Sequence, residues 1–209
     1  MLNKKDFLKY ASKLAFPIMI QNLIGTLVNI ADTVMLGYVS QTAMSASSLA
    51  NQYTFILFCL YYGMATGTSV LCAQYWGKGD KTTIEKILAL GIRSAVIVTA
   101  IFTVAAFAIP ASLMRIFTND PQVIAEGVKY LRIVACSYII MGITNVYLYV
   151  MRSIERVIVA TVVYLVSFLC NVVFNAIFIF GLFGFPALGI RGAAIATLIA
   201  RIMELVLVC

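Results

Sequence analysis

The sequence predicts an all-α fold, a polytopic bundle of six transmembrane helices, and three observations lead there. Hydrophobic residues make up 63% of the 209-residue chain and charged residues 11%, with a mean hydropathy of +1.01. A soluble domain carries about 25% charged residues. Acids and bases are absent from four long windows, 46–75, 94–114, 133–151 and 157–190. Basic residues gather at the flanks of these windows, the distribution that membrane topology imposes. The windows are apolar continuously and not at every second residue, which argues against a β-barrel.

A crossing needs about 20 mostly apolar residues. The first span, 14–38, has Asp32 as its only charge. It is too long and too polar for a cleaved signal peptide, and no small-x-small site follows it, so it is expected to stay in the mature protein. The second, 46–75, contains Gly63 and Gly67, a G-x-x-x-G step that permits close helix contact. The third is 87–115 and the fourth 130–151. The last window is too long for one crossing, and Gly181, Gly184 and Pro186 divide it into a fifth span, 157–183, a tight turn and a sixth span, 188–209. All six form one transmembrane domain, 1–209.

Lys4, Lys5, Lys9 and Lys13 precede the first span. Lys78, Lys81, Lys86 and Arg93 surround the second connection, and Arg152 and Arg156 the fourth. The other side has only Arg115, Lys129, Arg132 and Arg191. The N-terminus and the even-numbered connections are therefore expected on the cytoplasmic side of the cell inner (plasma) membrane. The net charge of +7 reads as topology and not as nucleic-acid binding. Cysteines 59, 72, 136, 170 and 209 fall inside spans without metal-ligand spacing and are expected to act as small packing residues. Histidine is absent, and no set of convergent acids at one interface suggests an enzyme.

An ionisable residue inside a bilayer marks a candidate functional site, because burying it is costly unless it is paired or solvated. Helical spacing puts Gln21, Gly25, Asn29 and Asp32 on one face, expected to look into the bundle or a watery cavity. Pro17 lies above that stripe and offers a place for the helix to bend. Passive hydrogen bonding to neighbouring helices is the competing role for Asp32. On the fifth span Ser167, Asn171 and Asn175 follow at steps of four. Amide oxygens suit Na⁺ or a carboxyl group that gains and loses a proton, and interhelical packing is the other reading. Tyr138, Asn145 and Tyr149 make a similar stripe on the fourth span, as cavity lining or packing. Arg201 and Glu204, three apart, are placed to pair, with Arg201 snorkelling toward the cytoplasm.

Gly63-Met-Ala-Thr-Gly67, running on to Ala73-Gln74-Tyr75-Trp76-Gly77-Lys78-Gly79-Asp80, resembles the signature of the multidrug and toxic compound extrusion (MATE) family. So does Asn171-x-x-x-Asn175 followed by Gly181, Pro186 and Gly189-Ile-Arg-Gly192-Ala-Ala-Ile-Ala-Thr197, as does Pro17 followed by Asp32 and Gly37. The resemblance implies twelve helices in two six-helix lobes. It also implies alternating access that expels drugs and other amphiphiles, many of them organic cations, in exchange for Na⁺ or H⁺. The chain corresponds to the N-terminal lobe, so it is expected to be a fragment whose partner, the C-terminal lobe, is missing. Further expected partners are membrane lipid and small amphiphilic or cationic substrates, with no cofactor beyond the coupling ion.

Carried over from the family, Asp32 would bind the coupling ion or proton. Asn171, Asn175 and Thr197 would complete the shell, with Na⁺ at Asp32, Asn171 and Asn175 as the metal form. Pro17 resembles the proline at which the first helix bends on protonation. Many relatives have Asp where Asn175 stands, so the choice between Na⁺ and H⁺ stays open. Relatives also often have Gly at the position of Glu155. The rivals are a lipid-linked oligosaccharide flippase of the same superfamily and a non-transporting membrane fragment. A flippase should line its cavity with several basic residues to hold a pyrophosphate. No Lys or Arg lies in the apolar part of spans one to five, which favours cationic or neutral substrates.

Overall fold

In a hydrocarbon solvent each apolar run must satisfy its own backbone, and a helix does so within one segment. The computed structural model describes the backbone of residues 4–208 and the side chains of residues 12–208, and it is helical nearly throughout. The helices are α1 (Lys4–Gly37), α2 (Gln41–Gly77), α3 (Lys81–Ala108), α4 (Pro110–Arg115), α5 (Pro121–Ala135), α6 (Tyr138–Ser153), α7 (Val157–Phe180) and α8 (Ile190–Val208), with a 3₁₀ turn at Leu182–Gly184. The side chains of Lys4, Lys5 and Lys9, and Cys209, lie outside the described residues.

Ser12–Gly37, α2, α3 and α7 are each long and apolar enough to cross a membrane, and α5 with α6 qualifies as one broken span. The sixth expected span falls on α8, which does not meet that measure of length and apolarity. It has 19 residues and carries Arg191, Arg201 and Glu204, two of which pair with each other inside the bundle.

Two boundaries differ from expectation. The third span stops at Ala108, because Pro110 cannot continue the helix and instead opens α4. The fourth span is two helices meeting at 52°. Asp120 caps α5, its carboxylate accepting from the Gln122 amide at 2.8 Å, and Pro121 takes the first helical position. At the bend, where neither Pro nor Gly occurs, side-chain hydroxyls occupy the loosened carbonyls. Ser137 Oγ donates to Val134 O at 2.7 Å, and Thr103 Oγ1 reaches from α3 to Ala135 O at 3.3 Å.

Caps mark the other starts and stops. Ser40 accepts from the Ala43 amide, and Asp80 from the Thr83 amide, each at 3.0 Å. The Thr83 hydroxyl and amide hold the exposed Asp80 carboxyl below the ordinary carboxylate range. α7 ends at Gly181, whose φ of 73° is the left-handed conformation that glycine adopts without penalty. Glu155, between α6 and α7, has φ 67°, in the left-handed region that favours glycine.

The main core joins Leu36 of α1, an alanine-rich face of α2 with Tyr53, Leu57 and Tyr61, and Tyr130, Leu131 and Val134 of α5. Ile179 of α7 and Ala193 and Ala194 of α8 complete it. Small residues allow close approach. A Cβ on Gly192 would lie 2.4 Å from Phe178 O, and one on Gly91 2.5 Å from Thr68 Oγ1. Gly63 and Gly67 are different: nothing lies within 4 Å of a Cβ at either, so the expected G-x-x-x-G contact does not form within the described bundle. Of the cysteines, Cys72 is packed inside, Cys170 is half-buried, and Cys59 and Cys136 are exposed. Only Cys72 fits the packing role fully.

Candidate functional site

α1 and α7 lie side by side, and their polar residues meet. Asp32, Asn171 and Asn175 are all buried. Asn175 Nδ2 donates to Asp32 Oδ1 and also to Asn171 Oδ1, the latter at 3.1 Å. Asn175 Oδ1 is buried without a hydrogen-bond partner. The three residues therefore present a carboxylate and two amide oxygens, one of them unclaimed. These are hard oxygen donors of the kind that hold Na⁺. Among the described residues no group of three or more His, Cys, Asp or Glu side chains gathers to hold a metal.

Thr197 is less direct. Its hydroxyl donates to Ala193 O at 3.0 Å on its own helix. Tyr130, which donates to Asn51 Oδ1 at 3.4 Å, lies near both Asp32 and Thr197.

The stripe on α1 divides. Three residues turn a helix by about 300°, so Asn29 lies about 60° round from Asp32. Gln21 shares the α7-facing side with Asp32, its Nε2 donating to Thr161 Oγ1 at 2.7 Å and to Val157 O at 3.2 Å. Gly25 and Asn29 line a cavity that Gln21 also reaches. α1 runs through Pro17 as one helix.

Ser167, the third member of the α7 stripe, has a different partner. It donates to Glu204 Oε1 at 2.7 Å, and Arg201 Nη1 donates to Glu204 Oε1 and Oε2 at 2.8 and 2.9 Å. Glu204 is 1% exposed. Asp32 is thus not the sole buried acid, as the sequence suggested. Arg201 does not snorkel away, because the pair satisfies both charges where they stand.

A cavity of about 690 Å³ opens between α1, α2, α6, α7 and α8. Gln21, Asn29, Asn145 and Tyr149 line it as expected. Tyr138 does not; its hydroxyl lies 3.0 Å from that of Thr54, which does. Sequence reading missed the α2 wall of Ser48, Asn51, Gln52 and Phe55, although these recur at helical spacing within a charge-free window. It also missed Tyr164, Arg152 and Arg201. Basic side chains therefore reach the cavity from the end of the fourth span and from the sixth.

Comparison with known proteins adds the following. The MatE family profile matches residues 17–177. The chain is 29% identical over 194 residues to the probable multidrug resistance protein NorM of Thermotoga maritima, covering 90% of this chain and 41% of that protein. It is 28% identical to the multidrug resistance protein MdtK of Yersinia enterocolitica, covering 88% of this chain and 40% of that protein. A crystal structure of a MATE in the bent conformation superposes with a TM-score of 0.85 at 23% identity, over 93% of this chain and 43% of that one. The chain thus spans about two fifths of the length of the relatives it matches.

Proposed function

The chain belongs to the MatE family and is a multi-pass membrane protein, and from this premise we propose that it forms the N-terminal, six-span lobe of a twelve-helix transporter. That transporter exports drugs and other amphiphilic compounds by alternating access, in exchange for Na⁺ or H⁺, and is not an enzyme. Its membrane is the cell inner membrane, with the N-terminus and the Gly77–Asp80 connection on the cytoplasmic side.

One observation carries the coupling assignment: the buried contact of Asp32 with Asn175 beside the unclaimed Asn175 Oδ1. With Asp32 ionised, the carboxylate and the amide oxygens hold a cation, or the carboxylate alone holds a proton. Either event changes the charge at the α1/α7 seam. Neutralisation weakens the grip of Asp32 on Asn175 and frees α1 to bend at Pro17, which closes the cavity from one side. The flippase reading needs several free basic groups. Of the two arginines on the cavity, Glu204 neutralises one, so a small amphiphile suits the space better than a pyrophosphate.

The test is efflux of a fluorescent amphiphile from proteoliposomes holding the complete transporter, driven by an imposed Na⁺ or pH gradient. Asp32→Asn is expected to abolish gradient-driven efflux while leaving expression intact. Efflux near the wild-type rate would exclude Asp32 as the coupling group.

A further inference from the structure

The charge on the cavity wall is one-sided. Among the described residues no acid lines it, whereas Arg152 and Arg201 do. Arg201 is occupied by Glu204. Arg152 is held differently: its guanidinium lies over the rings of Tyr149 and Tyr164, 4.7 and 5.4 Å from their centroids. Stacking on ring faces fixes the plane of the guanidinium, with the Tyr149 hydroxyl within its reach. Its Nε is buried with no hydrogen-bond partner, and an unpaired buried donor is unfavourable until something accepts from it. The guanidinium fork matches a carboxylate or a phosphate. On the same cavity, Phe55, Phe58 and Tyr61 present an aromatic wall for an apolar body.

We propose that Arg152 is an anion-binding pole of this cavity, so that the amphiphiles it accepts carry a carboxylate or phosphate beside their apolar part. This deepens the export reading by naming the charge class of the cargo, and it rests on that reading only for the direction of movement. Tyr149 and Tyr164 act as positioning residues for the guanidinium. Asn145, which accepts from the Tyr164 hydroxyl at 3.1 Å, fixes the second ring in turn.

The experiment measures binding and not transport. The purified complete transporter in phosphatidylcholine nanodiscs is titrated with a carboxyl rhodamine and with its methyl ester, and anisotropy is read without any gradient. The carboxylate is expected to bind about tenfold more tightly than the ester. The preference should vanish in Arg152→Gln and survive in part in Arg152→Lys. Equal affinity of the two dyes for the wild-type protein would overturn the proposal, and that result does not depend on how well a variant folds. An Arg152→Gln protein that melts like wild type yet keeps the preference would overturn it as well. Adding phosphatidylglycerol distinguishes the sources of the anion. Competition against the carboxylate dye assigns the pole to a lipid headgroup, and unchanged binding assigns it to a soluble amphiphile; both uphold the chemistry. Carboxylate-selective binding by a complete transporter that fails to drive efflux would refute the export reading alone.

Discussion

Glu204 and Arg201 share two hydrogen bonds but not the same surroundings. The side chain of Glu204 is 2% exposed and that of Arg201 is 26% exposed, on the cavity wall. Removing one partner strands the other, and the outcome depends on where the survivor sits. Arg201→Met leaves a carboxylate inside the α7/α8 seam with only Ser167 to serve it, and is expected to destabilise the protein by about 3 kcal/mol. Glu204→Gln leaves a guanidinium that water in the cavity can reach, so its effect should be clearly smaller. Thermal melting in detergent decides, and equal losses would show the two environments to be alike. At Glu155 the backbone has φ 67°. A left-handed conformation costs an L-residue about 1–2 kcal/mol and a β-branched one more. Glu155→Gly should therefore be more stable than Glu155→Val by at least about 1 kcal/mol. Comparing two variants that both lack the carboxylate isolates the backbone term. The Asp32 and Asn171/Asn175 stripes were legible because polar groups are conspicuous in charge-free windows. Glu204 was not, because its pairing with Arg201 near the end of the last span reads from sequence as a surface feature.

Glycine brings the helices of this bundle into close contact at some positions and faces open space at others. Gly192→Ala would press a Cβ against the Phe178 carbonyl, which is backbone and cannot turn aside. A loss of about 2 kcal/mol is expected. Gly63→Ala and Gly67→Ala meet open space and should change stability by less than about 0.5 kcal/mol. Melting the three variants side by side checks the contrast. The start of α3 carries its own pH dependence. The Asp80 carboxyl is held below the ordinary carboxylate range, so the cap contributes fully above that range and is lost as pH falls through the lowered value. Protection against hydrogen exchange at the first turn of α3, relative to the intrinsic rate at each pH, should fall on acidification in the wild type and show no such step in Asp80→Ala. At this scale the sequence announced the spans, since the absence of charge is unmistakable, and Gly181 was visible as punctuation, whereas Pro110 was read through as part of the third span. The 52° bend between α5 and α6 was not, because Cys136 and Ser137 break no propensity rule. At the bend Thr103 reaches in from another helix, a contact that only the fold supplies.

The molecule as a whole shows most of its polar chemistry on α1, α7, α8 and the cavity they help enclose. The proposed orientation rests on the basic residues, and single-cysteine labelling tests it. Position 79 is expected to resist a membrane-impermeant reagent applied outside the cell, and strong labelling there would invert the topology. Architecture was readable from sequence because lipid leaves few alternatives to a helix, whereas the cavity wall arises from residues on five helices and no one segment announces it. The ion pair carried by α8 has a consequence for how the protein is made. A lone helix bearing Arg201 and Glu204 would partition poorly from the insertion machinery into lipid, since each central charge disfavours entry by about 3 kcal/mol. α7 emerges first, joined to it by a tight turn, and its Ser167 is the residue that later engages Glu204. The two helices are therefore expected to enter the bilayer as one hairpin, with α7 carrying α8 in, and α8 by itself should fail a glycosylation-mapping assay for insertion that the α7–α8 pair passes.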